Sequence, residues 1–233
     1  MKEIIILLSL LLTSCVNSAV TSKNVFFKGT FVKIEKKVTL SACNPLNNNK
    51  CITKTYESTA SSFLIAHHKN KSFFITAAHV CLTSVGRLAE FPRFQMHEEI
   101  YGINLNGKRF SYRIVNVNTL YDLCLLSTVR MNGRPYKISS NRASRGGKVF
   151  NIAAPSGIYA KNLVPLFSGY YVGDAHGKSI FTLPASGGSS GSPVLNNNGD
   201  VIGMVSAVTT DFKHIVISPT LYQIKEFIHN ENL

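Results

Sequence analysis

Residues 101–117 read YGINLNGKRFSYRIVNV, and this stretch already indicates the fold class. Apolar and polar residues alternate on both sides of Asn106 and Gly107, and an Asn-Gly pair between alternating runs is a strong β-hairpin signal. Further short apolar runs lie nearby, SSFLIAHH at 61–68, SFFITAA at 72–78 and DLCLLSTV at 122–129. Strands of this length between turn residues predict an all-β domain of the sandwich or barrel type.

A polar segment divides the strand-bearing sequence into two halves. Residues 131–147, MNGRPYKISSNRASRGG, are rich in turn formers and are predicted to be a linker. Beyond it, KVFNIAAP at 148–155 and SPVLNNNGDVIGMVSAV at 192–208 continue the strand pattern. The one predicted helix comes last, because Leu221, Ile224, Phe227 and Ile228 recur at helical spacing after Pro219.

The composition predicts a folded chain with a basic surface. Of the 233 residues, 45% are hydrophobic and 16% are charged, a balance that permits a sizeable core. Lys and Arg outnumber Asp and Glu by 25 to 12, giving a net charge of +13. Because the positive residues are scattered, a solvated basic surface without a dedicated binding partner is favoured. No specific nucleic acid partner is expected. Binding to an anionic membrane or cell-wall surface stays an open alternative.

The first 19 residues are predicted to be an export signal. The apolar core from Ile4 to Leu12 has roughly nine residues, whereas a membrane span needs about 20. The string LTSC ending at Cys15 is similar to a bacterial lipobox, which predicts lipidation of that cysteine. Cleavage near Ser18 or Ala19 is the competing interpretation. The protein is therefore expected to be exported, either lipid-anchored in the cell envelope or secreted.

The remaining cysteines are expected to serve structure rather than metal binding. Cys43 and Cys51 flank an Asn-rich loop that a local disulfide could close, and they are the first choice for a pair. Cys81 and Cys124 follow two candidate catalytic residues at the same spacing, so they are either paired or buried as free thiols. No CxxC spacing occurs, which argues against a zinc site, and no metal or other cofactor is expected.

Three separate motifs supply the groups that a serine nucleophile needs. Ser190 lies in SGGSSGSPV, a tight small-residue turn that can expose a serine and aim the N–H groups of Gly188 and Ser190 at one point. His79 follows an apolar strand in ITAAHVC, and Asp122 opens the apolar run DLCLL. A base, an orienting carboxylate and two oxyanion donors together predict nucleophilic acyl transfer. Each motif alone has an ordinary structural explanation, a flexible loop, a structural histidine or a turn-capping aspartate.

The motifs TAAHV, DLCLL, GSSGSP and GMVSAV together resemble the chymotrypsin-like serine peptidase superfamily, over about residues 63–228. The order His, Asp, Ser is that of this superfamily. The resemblance is closer to bacterial glutamyl endopeptidases and periplasmic proteases than to digestive enzymes. It implies an all-β fold of two six-stranded antiparallel β-barrels with a short C-terminal helix. Residues 20–130 would form the first barrel with His79 and Asp122, and residues 148–233 the second with Ser190.

The resemblance also implies further roles. Ser206 matches a serine that hydrogen-bonds the triad aspartate, and Gly188 and Ser190 match the oxyanion-hole amides. The walls of the substrate pocket would be formed by two short segments, Pro184, Ala185, Ser186 and Gly187 on one side, and Ser206, Ala207 and Val208 on the other.

Departures from the family pattern carry information on specificity and activation. Ser189 replaces the acidic residue that pairs with a new N-terminus in digestive members, so activation by that route is not expected. Pro184 stands where trypsin has an acid, which argues against a preference for Lys or Arg. Val208 implies a shallow pocket, and His214 is a candidate for recognising an acidic substrate side chain.

The leading hypothesis is a monomeric serine endopeptidase acting on proteins or peptides. A catalytically idle trypsin-like module that binds anionic envelope material is the alternative from a different class. An esterase would use the same groups and stays open.

Overall fold

The computed structural model of this protein describes residues 29–44, 50–84, 94–212 and 214–233. The predicted export signal and Cys15 lie outside these residues. The described chain forms two antiparallel sheets of seven strand segments each, with one longer helix at the C-terminus. The all-β prediction is therefore confirmed.

The first sheet closes on itself because one strand bends. Its segments are β1 (Phe31–Asn44), β2 (Lys50–His68), β3 (Lys71–Thr76), β4 (Gln95–Asn104), β5 (Arg109–Ser111), β6 (Arg113–Asn118) and β7 (Leu123–Val129). The spatial order is β5-β4-β1-β2-β3-β7-β6, so the two ends of the sheet are consecutive in sequence and only Tyr112 separates them. Counted as one bent strand, β5 and β6 make this a six-stranded barrel.

The second sheet closes in the same way. Its segments are β8 (Lys148–Ile152), β9 (Leu166–Ala175), β10 (Lys178–Thr182), β11 (Pro193–Leu195), β12 (Val201–Met204), β13 (Ala207–Val208) and β14 (Ile215–Pro219). Its order is β12-β11-β8-β9-β10-β14-β13, and the end segments β12 and β13 are separated only by Val205 and Ser206. The predicted pair of six-stranded barrels is confirmed in this form, and Ser206 lies at the bend that closes the second one.

Alternating burial explains why these runs form strands. In β1 the residues Val32, Ile34 and Val38 are buried, and they face the interior of the first barrel. The main hydrophobic cluster continues past that barrel, from Phe63 and Phe74 to residues of the second half such as Leu195 and Met204. The two barrels therefore share apolar contacts at their junction.

The predicted hairpin and the predicted C-terminal helix are present, although the hairpin loop is longer than the two-residue turn that an Asn-Gly pair signals. Gly107 lies in the turn between β4 and β5, with a four-residue loop from 105 to 108. The C-terminal helix spans Leu221–Asn230 and is preceded by Thr220, whose side chain forms a capping box with Gln223. No helix within the described residues is long and apolar enough to cross a membrane.

Both cysteine pairs are disulfides. The favoured pair Cys43–Cys51 is confirmed, and it joins neighbouring strands near the end of the long β1–β2 hairpin. The sequence left Cys81 and Cys124 open between pairing and free thiols, and the structure pairs them. Disulfides of this kind are typical of proteins that fold outside the cytoplasm.

Candidate active site

His79 lies on a single helical turn that follows β3. This helix, α1, spans Ala78–Cys81, and Ala77 and Ala78 are buried beneath it. The small alanine side chains let the chain turn closely over the barrel end. The imidazole itself is 51% exposed, so it faces the cleft rather than the core.

Asp122 is the partner of His79. It ends the turn before β7 with a φ of 57°, a left-handed conformation that aspartate tolerates better than most residues. Its Oδ1 accepts a hydrogen bond from the backbone N–H of His79 at 3.0 Å, and its Oδ2 lies 3.0 Å from the imidazole Nδ1. One carboxylate therefore fixes both the backbone and the ring of His79.

Ser206 adds a contact from the second barrel. Its hydroxyl donates a short hydrogen bond to Oδ2 of Asp122, while its backbone N–H donates to the carbonyl of Ile217 at 3.0 Å. The hydrogen bonds from Ser206 to Asp122 and from Asp122 to His79 thus connect the two barrels across the cleft. The sequence-based expectation that Ser206 contacts Asp122 agrees with this geometry.

The surroundings hold Asp122 in its charged form. Partial burial by itself would raise the pKa of Asp122, but hydrogen bonds from the His79 imidazole, the Ser206 hydroxyl and the His79 backbone N–H outweigh it. The pKa of Asp122 is therefore below its ordinary value, because these donors stabilise the carboxylate.

Ser190 lies on the loop between β10 and β11. This loop contacts the first barrel. The carbonyl of Ser190 accepts a hydrogen bond from the N–H of Ser61 at 2.8 Å, and the N–H of Gly191 donates to Val205 at 2.7 Å. At Gly191, which has a φ of +84°, an added Cβ would lie 2.2 Å from Thr76 Oγ1. Since Thr76 is three residues before His79, these contacts place the Ser190 backbone in the same cleft.

The hydrogen bond between Ser190 and His79 that a catalytic triad would contain is not formed in this conformation. Within the described part of the chain, no hydrogen bond joins the Ser190 hydroxyl to Nε2 of His79. Serine–histidine hydrogen bonds are often long until a substrate is bound. The structure thus brings together His79, Asp122 and Ser206, with the Ser190 loop beside them.

The loop before Ser190 presents two N–H groups without protein acceptors. Gly188 has a φ of +93°, its carbonyl accepts from the Ser61 hydroxyl at 2.8 Å, and the carbonyl of Gly187 accepts from the N–H of Ser156 at 2.5 Å. Among the described residues, the N–H groups of Gly188 and Ser190 donate to no protein atom. Both N–H groups are therefore available to an acceptor outside the described protein, and their role as oxyanion donors stays a prediction.

Sequence reasoning missed Ser61. This fully buried serine of β2 contacts the loop with both its backbone N–H and its hydroxyl, and the hydroxyl also accepts from the N–H of Ala154 at 3.2 Å. In the sequence it is one of two adjacent serines at the start of an apolar run, a pattern with no distinctive signal. Its role depends on a contact with a loop 127 residues away.

The predicted pocket residues lie on two segments of the second barrel, one that follows β10 and one at β13, and β14 lies between these two strands in the sheet. The N–H of Leu183, just before Pro184, donates to the carbonyl of His214 at 2.9 Å. Val208 packs against the same hydrophobic cluster that contains Ala185. The ring of His214 is exposed and lies 5.4 Å from the ring of Phe212.

A cavity lies beside Gly187 and Gly188. It has a volume of about 710 Å³, and charged residues of the first barrel line it together with Ser156, Gly187 and Gly188. The charged side chains belong to β1, β2 and β5 and include Glu35, Lys37, Glu57 and Arg109. Residues 35–37 and 57–59 therefore form one wall of this cavity beside the Ser190 loop.

The close approach at Gly191 gives a stability prediction. We expect Gly191→Ala to lower the free energy of unfolding by about 2–5 kcal/mol, because the methyl group adds an overlap to the unfavourable positive φ. Gly146→Ala is the matched control, since Gly146 has a φ of +73° with no atom within 4 Å, and it should lose only about 1–2 kcal/mol. Urea unfolding measures both values. Equal losses in the two variants would contradict the contact at Gly191.

Comparisons with known proteins agree with this architecture. No curated protein matches the sequence of this chain. The fold is similar to that of Rv3671c from M. tuberculosis H37Rv in an inactive serine-to-alanine mutant form, with a TM-score of 0.57, 15% identity and coverage of 83% of this chain and 85% of that one. The active form of the Rv3671c protease gives a TM-score of 0.56, 17% identity and coverage of 82% and 78%.

The family follows from a match in sequence rather than in fold alone. The model of the trypsin-like peptidase domain matches residues 60–204, which is more than half of the chain and includes His79, Asp122 and Ser190. The chain therefore belongs to the trypsin-like peptidase family.

Proposed function

We propose that this protease is a serine endopeptidase in which His79, Asp122 and Ser190 form the catalytic triad. The observation that carries the proposal is the set of hydrogen bonds Ser206–Asp122–His79 across the cleft, beside the loop that bears Ser190. A carboxylate buried against an imidazole, with a second donor from the opposite barrel, has no evident structural need at an exposed barrel end. It is the arrangement that a general base requires.

In the acylation step, Ser190 Oγ attacks the carbonyl carbon of the scissile peptide bond. Its proton passes to Nε2 of His79, while the N–H groups of Gly188 and Ser190 bind the oxyanion. The C–N bond then breaks as His79 gives this proton to the departing amine, which leaves an ester on Ser190. In deacylation, water loses a proton to His79 and attacks the ester, and Ser190 recovers its proton when the acid product leaves.

Asp122 has two tasks in this mechanism. As an ionised acceptor of the Nδ1 proton, it keeps Nε2 free to take the proton of Ser190. It also stabilises the imidazolium that forms in both steps. The lowered pKa of Asp122 supports this role, because the group stays a carboxylate throughout the neutral range.

The substrate would lie across the Ser190 loop. We place the side chain before the scissile bond between Pro184–Gly187 and Ser206–Val208, in a pocket that Val208 keeps shallow. The departing half of the peptide would lie on the opposite side of Gly188, where the charged cavity opens toward the β1–β2 hairpin. Recognition of Glu or Asp by His214 remains a proposal, and a peptide-library cleavage profile without enrichment of acidic residues would reject it.

Processing and location are proposed along with the activity. Removal of residues 1–19 or lipidation at Cys15 would deliver the peptidase to the envelope or to the exterior. Residues 131–147 are proposed to link the two barrels. The mass of the mature N-terminal peptide distinguishes lipidation from cleavage near Ser18.

The direct test combines cleavage with active-site labelling. The protein should cleave a diverse peptide mixture, and a fluorophosphonate should modify Ser190 stoichiometrically. The neighbouring Ser189 and Ser192 are fully buried and serve as internal controls, because the reagent should leave them unmodified. A folded protein that neither cleaves nor reacts would instead favour the idle binding module.

A further inference from the structure

Lys36 occupies a position in β1 that the strand pattern reserves for apolar residues. It lies between Ile34 and Val38 on the face directed into the first barrel, and it is only 7% exposed. Burying an ammonium group is unfavourable unless each of its donors has a partner. A lysine at this position therefore calls for an explanation.

The partners of Lys36 lie on the turn that carries His79. Its Nζ donates to the carbonyl of Val80 at 2.8 Å and to the carbonyl of Leu82 at 3.1 Å. Its third donor forms a close ion pair with Glu98 of β4, which also accepts from the Thr83 hydroxyl at 3.1 Å. Lys36 thus satisfies two carbonyls that lie one and three residues after His79.

The α1 turn needs such external support. It spans four residues and has no side-chain cap at its start, and a helix this short is unstable by itself. The carbonyls at the end of a helix have no partners within it and carry partial negative charge, so a cation there is favourable. The Cys81–Cys124 disulfide ties the same turn to β7, and Lys36 holds it from β1.

We propose that Lys36 and Glu98 are positioning residues for catalysis: they fix the turn that carries His79 so that its imidazole faces both Asp122 and Ser190. This inference rests on the proposed serine peptidase function. Neither residue touches the reacting atoms, so both act through the backbone of α1. A displacement of about 1 Å in a catalytic group can cost about 100-fold in rate.

The effect should appear in kcat rather than in KM. Lys36→Met removes the ammonium and leaves the carbonyls of Val80 and Leu82 without a partner, so we expect kcat to fall about 10- to 100-fold. KM for a short substrate with a small leaving group should stay within about twofold, because such a substrate fills only the proposed pocket at 184–187 and 206–208 and does not reach the cavity that Lys36 helps to line. Titration with a fluorophosphonate counts the competent sites, so kcat refers to folded enzyme only.

The double variant Lys36→Met/Glu98→Met separates positioning from stability. Replacing a buried ion pair by apolar side chains of similar size is often neutral or stabilising, so this protein should recover the melting temperature that Lys36→Met loses. Its kcat should stay as low as that of the single variant, because the two carbonyls still lack a donor. Lys54→Met, on an exposed position of β2, is the matched control and should behave as wild type.

The outcomes are distinguishable. A double variant with wild-type kcat would overturn the inference. If neither Met variant folds, the test is Lys36→Gln, whose side chain keeps a hydrogen-bond donor but is shorter. A fall in kcat of about 3- to 10-fold in this variant supports the positioning role, and an unchanged kcat rejects that role. Activity that survives Ser190→Ala would overturn the proposed function itself, whereas loss in Ser190→Ala with an unchanged kcat in the Lys36 variants would overturn only this inference.

Discussion

Ser190→Ala is expected to lower kcat by about a million-fold, the loss typical of removing the nucleophile of a serine peptidase. The variant should still fold, with a melting temperature within about 2 °C of wild type, since most surface changes cost under about 0.5 kcal/mol. The hydroxyl of Ser190 makes no hydrogen bond within the described residues, so little native structure depends on it. Peptide cleavage and thermal unfolding, measured on the same preparation, give both quantities.

Ser192→Ala is the matched control for this result. Ser192 lies two residues further along the same loop, is fully buried and accepts a hydrogen bond from Asn151 at 2.8 Å. Loss of the Ser192 hydroxyl should lower the free energy of unfolding by about 1 kcal/mol, the value of one hydrogen bond, and should leave kcat within about tenfold of wild type. A Ser190→Ala variant with more than about 1% of wild-type kcat would contradict the assignment of the nucleophile.

Asp122→Asn is expected to give the second large loss, about 10⁴-fold in kcat. An amide cannot stabilise the imidazolium, and its NH₂ group facing Nδ1 favours the tautomer that leaves Nε2 protonated. The backbone contact with His79 can persist through the amide oxygen, so the variant should fold. Measurement of kcat and KM should show the loss in kcat, since Asp122 does not line the proposed pocket.

The same variant tests the pKa of Asp122. Because this pKa is lower in the folded than in the unfolded protein, the carboxylate contributes stability that is present at neutral pH and is lost as pH falls below about 4. The free energy of unfolding of Asp122→Asn should therefore fall less between pH 7 and pH 3 than that of wild type. An identical acid dependence in both proteins would contradict the lowered pKa.

Asp174→Asn separates acid stability from catalysis. Burial would raise the pKa of Asp174, but hydrogen bonds from Ser179, Tyr171 and Arg142 lower it, and this residue lies in the second barrel on β9. Its amide variant should also have a weaker acid dependence of unfolding, yet it should keep wild-type kcat. A comparable loss of kcat in both amide variants would point to a global defect rather than to a catalytic carboxylate.

Many of the strands could be predicted from local sequence, but β1 (Phe31–Asn44) and residues 50–60 of β2 were not predicted. Period-two alternation and the turn at Gly107 specify a hairpin from neighbouring residues alone, and apolar residues at helical spacing after Pro219 likewise predict the C-terminal helix. The candidate triad also followed from sequence, because small-residue turns and strand ends around Ser190, His79 and Asp122 are local patterns. Their order along the chain then favoured one superfamily.

Contacts between distant segments could not be predicted in this way. The sequence left Cys81 and Cys124 undecided, and it gave no sign that Ser61 supports the Ser190 loop. Lys36 is the clearest case. The alternation of β1 indicates that its side chain points inward, but its partners Val80, Leu82 and Glu98 come from distant segments and could not be predicted.

By itself, then, the sequence determined the all-β class, the strand runs, the C-terminal helix and the identity of the candidate catalytic side chains, since propensity and periodicity act within a few residues. Only the tertiary structure decided how the sheets close at Tyr112 and at Val205–Ser206, and this closure explains the contact between Ser206 of one barrel and Asp122 of the other that the family resemblance implied. The physical reason is that such contacts join residues 84 positions apart for Ser206 and Asp122 and 127 positions apart for Ser61 and Gly188, and no local pattern encodes these encounters.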